Sequence, residues 1–144
     1  MAVSMQVDIV SAEGSMFSGK ADRVFAQAAD GEVGILPKHT QLLSNLKPGQ
    51  VRVVSGDEED NYFINSGILE VQPDVVTILA DTAIRAEDLD ESQAIEAKRR
   101  AEEAMNQAKT DTDIARAQVE LAEAVAQIQT ISKLRDRLQK TGMS

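Results

Sequence analysis

Three stretches of this 144-residue chain carry residue types and spacings that suit chemistry. "GSMFSGKA", residues 14–21, has the glycine and lysine spacing of a phosphate-cradling loop. Such a loop needs a Ser or Thr after its lysine to hold magnesium, and a helix whose N-terminus receives the phosphate. Here Ala21 follows Lys20, and "DRVFAQAA" reads as strand, so the stretch is a hairpin turn that carries a lysine. Asp57-Glu58-Glu59-Asp60 gathers carboxylates, but without the alternating ligand spacing and central glycine of a calcium loop. A solvated hairpin tip accounts for it. The third stretch is "GEVGILPKHTQLL", residues 31–43, which holds His39, the one histidine. With no cysteine, a single histidine makes neither a zinc site within the chain nor a Cys-His pair. Serines and aspartates are present, yet no strand-turn-helix nucleophile elbow frames them. These residues define no catalytic, metal or cofactor site. His39 reads as a loop or strand-end histidine, or as a contact residue.

Composition narrows the partners. A net charge of −9 argues against nucleic acid or an anionic membrane as the main partner. The absence of cysteine removes disulfides and thiol chemistry. The N-terminus lacks a basic segment followed by an apolar one, and no apolar run approaches the roughly 20 residues of a spanning helix. The expectation is a soluble, intracellular polypeptide without direct membrane insertion, which leaves attachment to a membrane machine open. Hydrophobic residues reach 42 % while aromatics are 3 %, so the core is aliphatic.

The elements that must position these residues fall into two halves. Residues 3–86 read as short β-strands separated by regular turn signals such as Glu13-Gly14, Asp30-Gly31 and Ser66-Gly67. Lys47-Pro48-Gly49-Gln50 suits a type II turn with positive φ at Gly49. The spacing predicts a small antiparallel sandwich or barrel. After Arg85 the period becomes helical. Asp90 and Gln93 form a capping-box-like start, with Leu89 and Ala94 as a hydrophobic staple. Ala94, Ala97, Ala101, Ala104 and Ala108 then make a narrow small-residue stripe. A second helix, from near Thr112-Asp113, sets Ile114, Ala117, Leu121, Ala124, Ile128, Ile131 and Leu138 at the same spacing, interrupted by Arg135. The short polar link favours an antiparallel hairpin. An alanine stripe gains little burial energy, at about 25 cal/mol per Å², so the hairpin is expected to be weakly docked. Arg135, on the seam, should spoil its last contact. The fold class is therefore α+β: an N-terminal antiparallel β-sandwich over 1–86 and a C-terminal two-helix hairpin over 87–144.

The C-terminal 14 residues are basic, with Lys133, Arg135, Arg137 and Lys140 against Asp136 alone. Two readings stand side by side: complementing the helix macrodipole, or docking on an acidic partner.

The blocks "VSAEGSMFSG", "GEVGILPKHTQLL", "LKPGQVRV", "SGILEVQPDVVTILADTAIR", "EAKRRAEEA" and "ELAEAVAQI", in this order and spacing, resemble the epsilon subunits of bacterial F-type ATP synthases over nearly the whole chain. The resemblance implies a non-catalytic rotor subunit of the central stalk that couples proton-driven rotation to ATP synthesis. Its sandwich clamps the gamma subunit and rests on the polar loops of the c-ring. Its helices switch between a compact form beside the sandwich and an extended form that enters the alpha/beta catalytic head and inhibits ATP hydrolysis. The implied place is the cytoplasmic face of the bacterial inner membrane, as a peripheral part of the complex. Carried over by motif, Glu32 faces the c-ring loops and His39 faces gamma, while Lys133, Arg135, Arg137 and Lys140 dock in the inhibitory state. Some members bind regulatory ATP through Leu-Asp-x-x-Arg-Ala. Here residues 89–94 read Leu-Asp-Glu-Ser-Gln-Ala, so Gln93 replaces the arginine fork that would grip phosphate, and no cofactor is expected. The rivals are a free-standing adaptor or chaperone-like module and a small nucleotide-binding enzyme using Lys20.

Overall fold

The computed structural model describes residues 4–140, with side chains as far as Leu138. The chain divides into two compact units, Met1–Arg85 and Ala86–Ser144.

In the first unit, period-two alternation shapes strands such as the first, while residues 61–64 are buried one after another. β1 (Met5–Ser11) buries Met5, Val7, Ile9 and Ser11 and leaves Gln6, Asp8 and Val10 half-buried. It turns into β2 (Gly14–Ala21), followed by β3 (Arg23–Ala28), β4 (Gly31–Ile35), β5 (Leu42–Leu46) and β6 (Gly49–Ser55). β7 (Glu58–Ile64), β8 (Gly67–Val71), β9 (Val75–Ala80) and β10 (Ala83–Arg85) complete one ten-stranded sheet. The spatial order is β10-β7-β6-β3-β5-β8-β9-β1-β2, with β4 paired to β3. Every pairing is antiparallel except β1 with β9, which runs parallel from Gln6↔Val75 to Ser11↔Ala80. Phe17 of β2 meets Tyr62 of β7 edge-on, ring centroids 6.3 Å apart, so the two ends of the sheet approach each other around one core. That core is aliphatic, built on Val7, Ile9, Val24, Val51, Val53, Leu69, Val76 and Ile78.

Two sequence expectations change here. Residues 14–21 form a strand along their whole length rather than a turn, and the hairpin tip lies before them, at Ala12-Glu13. No loop remains to cradle phosphate. Gly49 does not take positive φ, since it already pairs with Ile64 inside β6. A glycine is needed there because a Cβ would fall 2.6 Å from Gln27 Cγ. The acidic run does begin at a tight hairpin, Ser55-Gly56-Asp57-Glu58, with Gly56 at φ +61. The Gly56 amide donates to Asp22 Oδ2 at 2.8 Å, and with Arg23 it holds that carboxyl below the usual range.

The second unit opens with a single 3-10 turn, Ala86–Asp88. Asp90 caps α1 (Glu91–Gln107) by accepting from the Gln93 amide at 3.1 Å. α2 (Asp111–Lys140) starts slightly earlier than Thr112, because the Thr110 hydroxyl accepts from the Asp113 amide at 3.1 Å and caps it. The seam is narrower than a three-four alternation. Ala94, Ala101, Ala117 and Ala124 are buried and Ala108 is half-buried, a step of seven along each helix. Ala97 and Ala104 are exposed. Ala126 and Thr130 are buried outside the expected stripe, with Thr130 Oγ1 donating to the Ala126 carbonyl at 2.8 Å. No helix among the described residues is long and apolar enough to cross a membrane.

Gly67 sits where three strands converge, paired with Leu46 of β5 and Ala80 of β9. A Cβ there would lie 2.3 Å from the Leu79 carbonyl oxygen and 2.9 Å from Ala80 Cα, and backbone cannot step aside. Gly67→Ala should cost about 3 kcal/mol, the upper end of overpacking. A urea midpoint shifted down with an unchanged m-value is the expected measurement.

Candidate subunit-contact surfaces

Glu32 and His39 are placed by the two ends of β4. At one end, Gly31 takes φ +130 so that β3 can turn directly into β4, and Glu32 pairs with Gln27. Gln27 Nε2 donates to Glu32 Oε2 at 3.1 Å, and the carboxylate is exposed. At the other end the chain makes a turn over Leu36-Pro37-Lys38-His39, closed by the His39 amide donating to the Leu36 carbonyl at 3.1 Å. Pro37 fixes the first central φ, and Lys38 takes the left-handed second position at φ +67. The Lys38 amide donates to the Pro73 carbonyl at 2.9 Å, which ties this turn to the one between β8 and β9. His39 is half-buried, and its Nδ1 lies 2.6 Å from the Thr40 carbonyl. A carbonyl only accepts, so Nδ1 carries the proton and Nε2 is the nitrogen left for a partner. The structure thus sets Glu32 and His39 at opposite ends of one strand, not in a shared site.

Two leucines close in sequence to the His39 turn are exposed. Leu36 is 57 % exposed and Leu43 71 %. Leu43 also borders a shallow hollow of about 320 Å³ shared with Gln41, Leu42, Glu70, Val71 and Gln72. On the same sheet Ile68 and Leu79 pair in register and are 43 % and 48 % exposed. Sequence reading passed over them because "VVTILAD" looks like a strand buried on both faces. The clue was available: apolar residues at both parities require a second covered face, and in this unit the outer one is open at Leu79.

A polar network stiffens another part of the outer face. Arg52 stacks 4.6 Å from the Phe25 ring centroid and donates to Glu59 at 3.0 Å. Asn61 donates to Glu59 and accepts from Gln50. Glu59, one of the four clustered acids, is therefore turned to an arginine rather than to solvent.

In the helical unit the tail cations do not behave alike. Lys133 is exposed. Arg135 does not spoil the seam: it reaches across the hairpin and pairs with Glu91, the first residue of α1. Its long side chain snorkels to the edge, where an aliphatic residue would have stayed in the seam. Arg137 is half-buried, and the Lys140 side chain lies outside the described residues. The Gln93 side chain is exposed, and the residue's backbone N–H donates to Asp90. Nearby on α1, Arg99 bridges Glu96 and Glu103 and holds the Glu96 carboxyl below its usual range.

Residues 4–86 match the family described as ATP synthase, Delta/Epsilon chain, beta-sandwich domain. Residues 87–132 match ATP synthase, Delta/Epsilon chain, long alpha-helix domain. A protein of Hydrogenovibrio crunogenus named ATP synthase epsilon chain is 87% identical over 144 residues, covering the whole of both chains. One of Thioalkalivibrio sulfidiphilus with the same name is 59% identical over 94% of this chain and 97% of its own. A chain in the cryo-EM structure of the Euglena gracilis mitochondrial ATP synthase, OSCP/F1/c-ring, superposes with a TM-score of 0.78 at 20% identity. That match covers 85% of this chain and 78% of the other, and it shows a shared fold.

Lys38 supplies a test of the His39 turn. A left-handed L-residue costs about 1–2 kcal/mol, whereas the exposed pair of Lys38 with Asp74, 2.6 Å apart, contributes at most about 1 kcal/mol. Lys38→Gly should leave the turn in place and stabilise the unit by about 1 kcal/mol or slightly less. A raised melting temperature, with the His39 amide still protected from exchange, is the expected result.

Proposed function

Since the chain belongs to the ATP synthase delta/epsilon family, we propose that it works as the epsilon-type subunit of an F-type ATP synthase, a non-catalytic part of the central stalk. The observation that carries this reading is the 87% identity to an ATP synthase epsilon chain over the full length of both proteins. Both domain matches also follow one another in the order of the two structural units.

On this reading the sandwich is the torque-bearing part. A sheet in which every strand has partners, stiffened outside by the Arg52–Glu59–Asn61 network, resists shear between one neighbour and another. His39, with Nε2 available, and the exposed Leu36 and Leu43 suit a contact of mixed polarity with gamma. Glu32, at the far end of β4, suits the polar loops of the c-ring. The helical unit carries the regulatory role: opened, it presents Lys133, Arg135, Arg137 and Lys140 to an acidic surface of the alpha/beta head and restrains ATP hydrolysis. The complex would sit at the cytoplasmic face of a bacterial membrane, driven by protons, with this chain held there through its partners.

Two expectations follow. A chain truncated after Arg85 should still co-sediment with gamma and the c-ring, and hydrolysis by the assembled complex should be faster with it than with the full chain. Equal rates would leave the stalk role and remove the inhibitory one, while loss of gamma from a folded truncated chain would remove the attachment role. Regulatory ATP should bind weakly or not at all, because Gln93 offers neither a permanent charge nor a bidentate fork. Calorimetry with Gln93→Arg should show higher ATP affinity than the parent, by tenfold or so for one added charge-assisted contact, on the order of 1.5 kcal/mol.

A further inference from the structure

The Glu91–Arg135 pair joins residues 44 apart in sequence and occupies a cation that docking on an acidic surface would use. Glu91 is the first residue of α1, beside its cap Asp90. Arg135 lies far along α2, so the contact closes the mouth of the hairpin, opposite the elbow at residues 108–110. Stepping ten residues inward from each member brings Ala101 to within one residue of Ala124, both buried. The ion pair and the alanine seam therefore belong to a single register. Both charged side chains remain about half exposed, at 54% for Arg135 and 45% for Glu91.

We propose that Glu91 is a latch that competes with the acidic partner for Arg135. While α1 and α2 are paired, Glu91 occupies the guanidinium and sets a negative charge beside it, so an approaching carboxylate surface meets a neutralised site. Opening the hairpin removes Glu91 and restores a full positive charge at position 135. The inference rests on the inhibitory reading of the helices given above. An exposed pair of this kind shifts an equilibrium by about two- to fivefold, so the latch tunes the two populations rather than locking one. The macrodipole favours an acid at Glu91 in the paired and the open hairpin alike, so the bias between them comes from the pair with Arg135.

The chain has no cysteine, so spin labels attach only at introduced ones. Lys98→Cys and Ser132→Cys, both exposed, place one label on each helix of the full chain. Under conditions where the parent shows both short and long label distances, Glu91→Gln should raise the open fraction about two- to fivefold at low ionic strength. Arg135→Gln should do the same, and the double variant should add nothing further. The difference should fade toward 1 M salt, where the Debye length is about 3 Å. Glu91→Gln alone also removes an acid from a helix N-terminus, but Arg135→Gln does not, so agreement between them separates the latch from fraying. An open fraction unchanged in Glu91→Gln, or additive effects in the double variant, would overturn the proposal. In the assembled complex Glu91→Gln, which keeps Arg135, should inhibit ATP hydrolysis more strongly than the parent by a similar factor. If the distances shift as stated and hydrolysis is the same for all variants, the latch stands and the inhibitory reading of the helices fails.

Discussion

The sandwich depends on one pairing, the parallel contact between β1 and β9. Among the described residues it is the only link between the N-terminal hairpin and the rest of the sheet along the hydrogen-bonded path, through six registered positions from Gln6↔Val75 to Ser11↔Ala80. Without it β1 and β2 would be an isolated two-stranded ribbon, which is marginal in water. With it, β2 is carried round until Phe17 reaches Tyr62 and the aliphatic core is enclosed on both sides. A parallel pair cannot be joined by a tight turn. Here more than 60 residues separate the partners, most of them in antiparallel strands of non-sequential order, so the contact is of necessity long-range.

That same feature explains what sequence reading reached and what it did not. Alternation in "MQVDIVS" and the glycine-marked turns are local, and they show the strands and the antiparallel class directly. The parallel β1–β9 pair has no local signature, because both strands alternate as they would in any sheet. Gly49 shows a subtler failure. Pro-Gly is turn chemistry, yet the residue is glycine because Gln27 on the neighbouring strand leaves no room for a Cβ. Lys38 is the reverse case, a left-handed residue that carries no glycine to announce it. In the helices the small-residue periodicity was legible. Its width was not, since only Ala94, Ala101 and Ala108 of the five alanines turn inward along α1.

Glu32 and His39 enter as candidate contacts by resemblance rather than by physics. Glu32 is an exposed acid at a hairpin and His39 a half-buried ring on a turn, and nothing in residue type or spacing alone marks either as an interface. What physics adds is their separation by the length of β4, which makes them suited to two partners instead of one. It also adds Leu36 and Leu43, apolar side chains left in water beside the His39 turn. Single exposed leucines need no explanation, but Leu43 also borders a hollow, and an exposed apolar side chain at a concave surface suits a partner.

The basic tail can now be divided by position. Macrodipole complementarity acts within the last turn of a helix. Such complementarity concerns a helix terminus alone, whereas an ion pair across the hairpin joins two elements. Arg135 has its own reason within the fold, since Glu91 waits for it across the hairpin. Its charge therefore stabilises the paired helices and does not by itself argue for a partner. Lys133, two residues earlier on α2, is exposed. Arg135 is thus the cation whose charge the paired helices themselves account for, while an exposed lysine at 133 is ordinary surface chemistry.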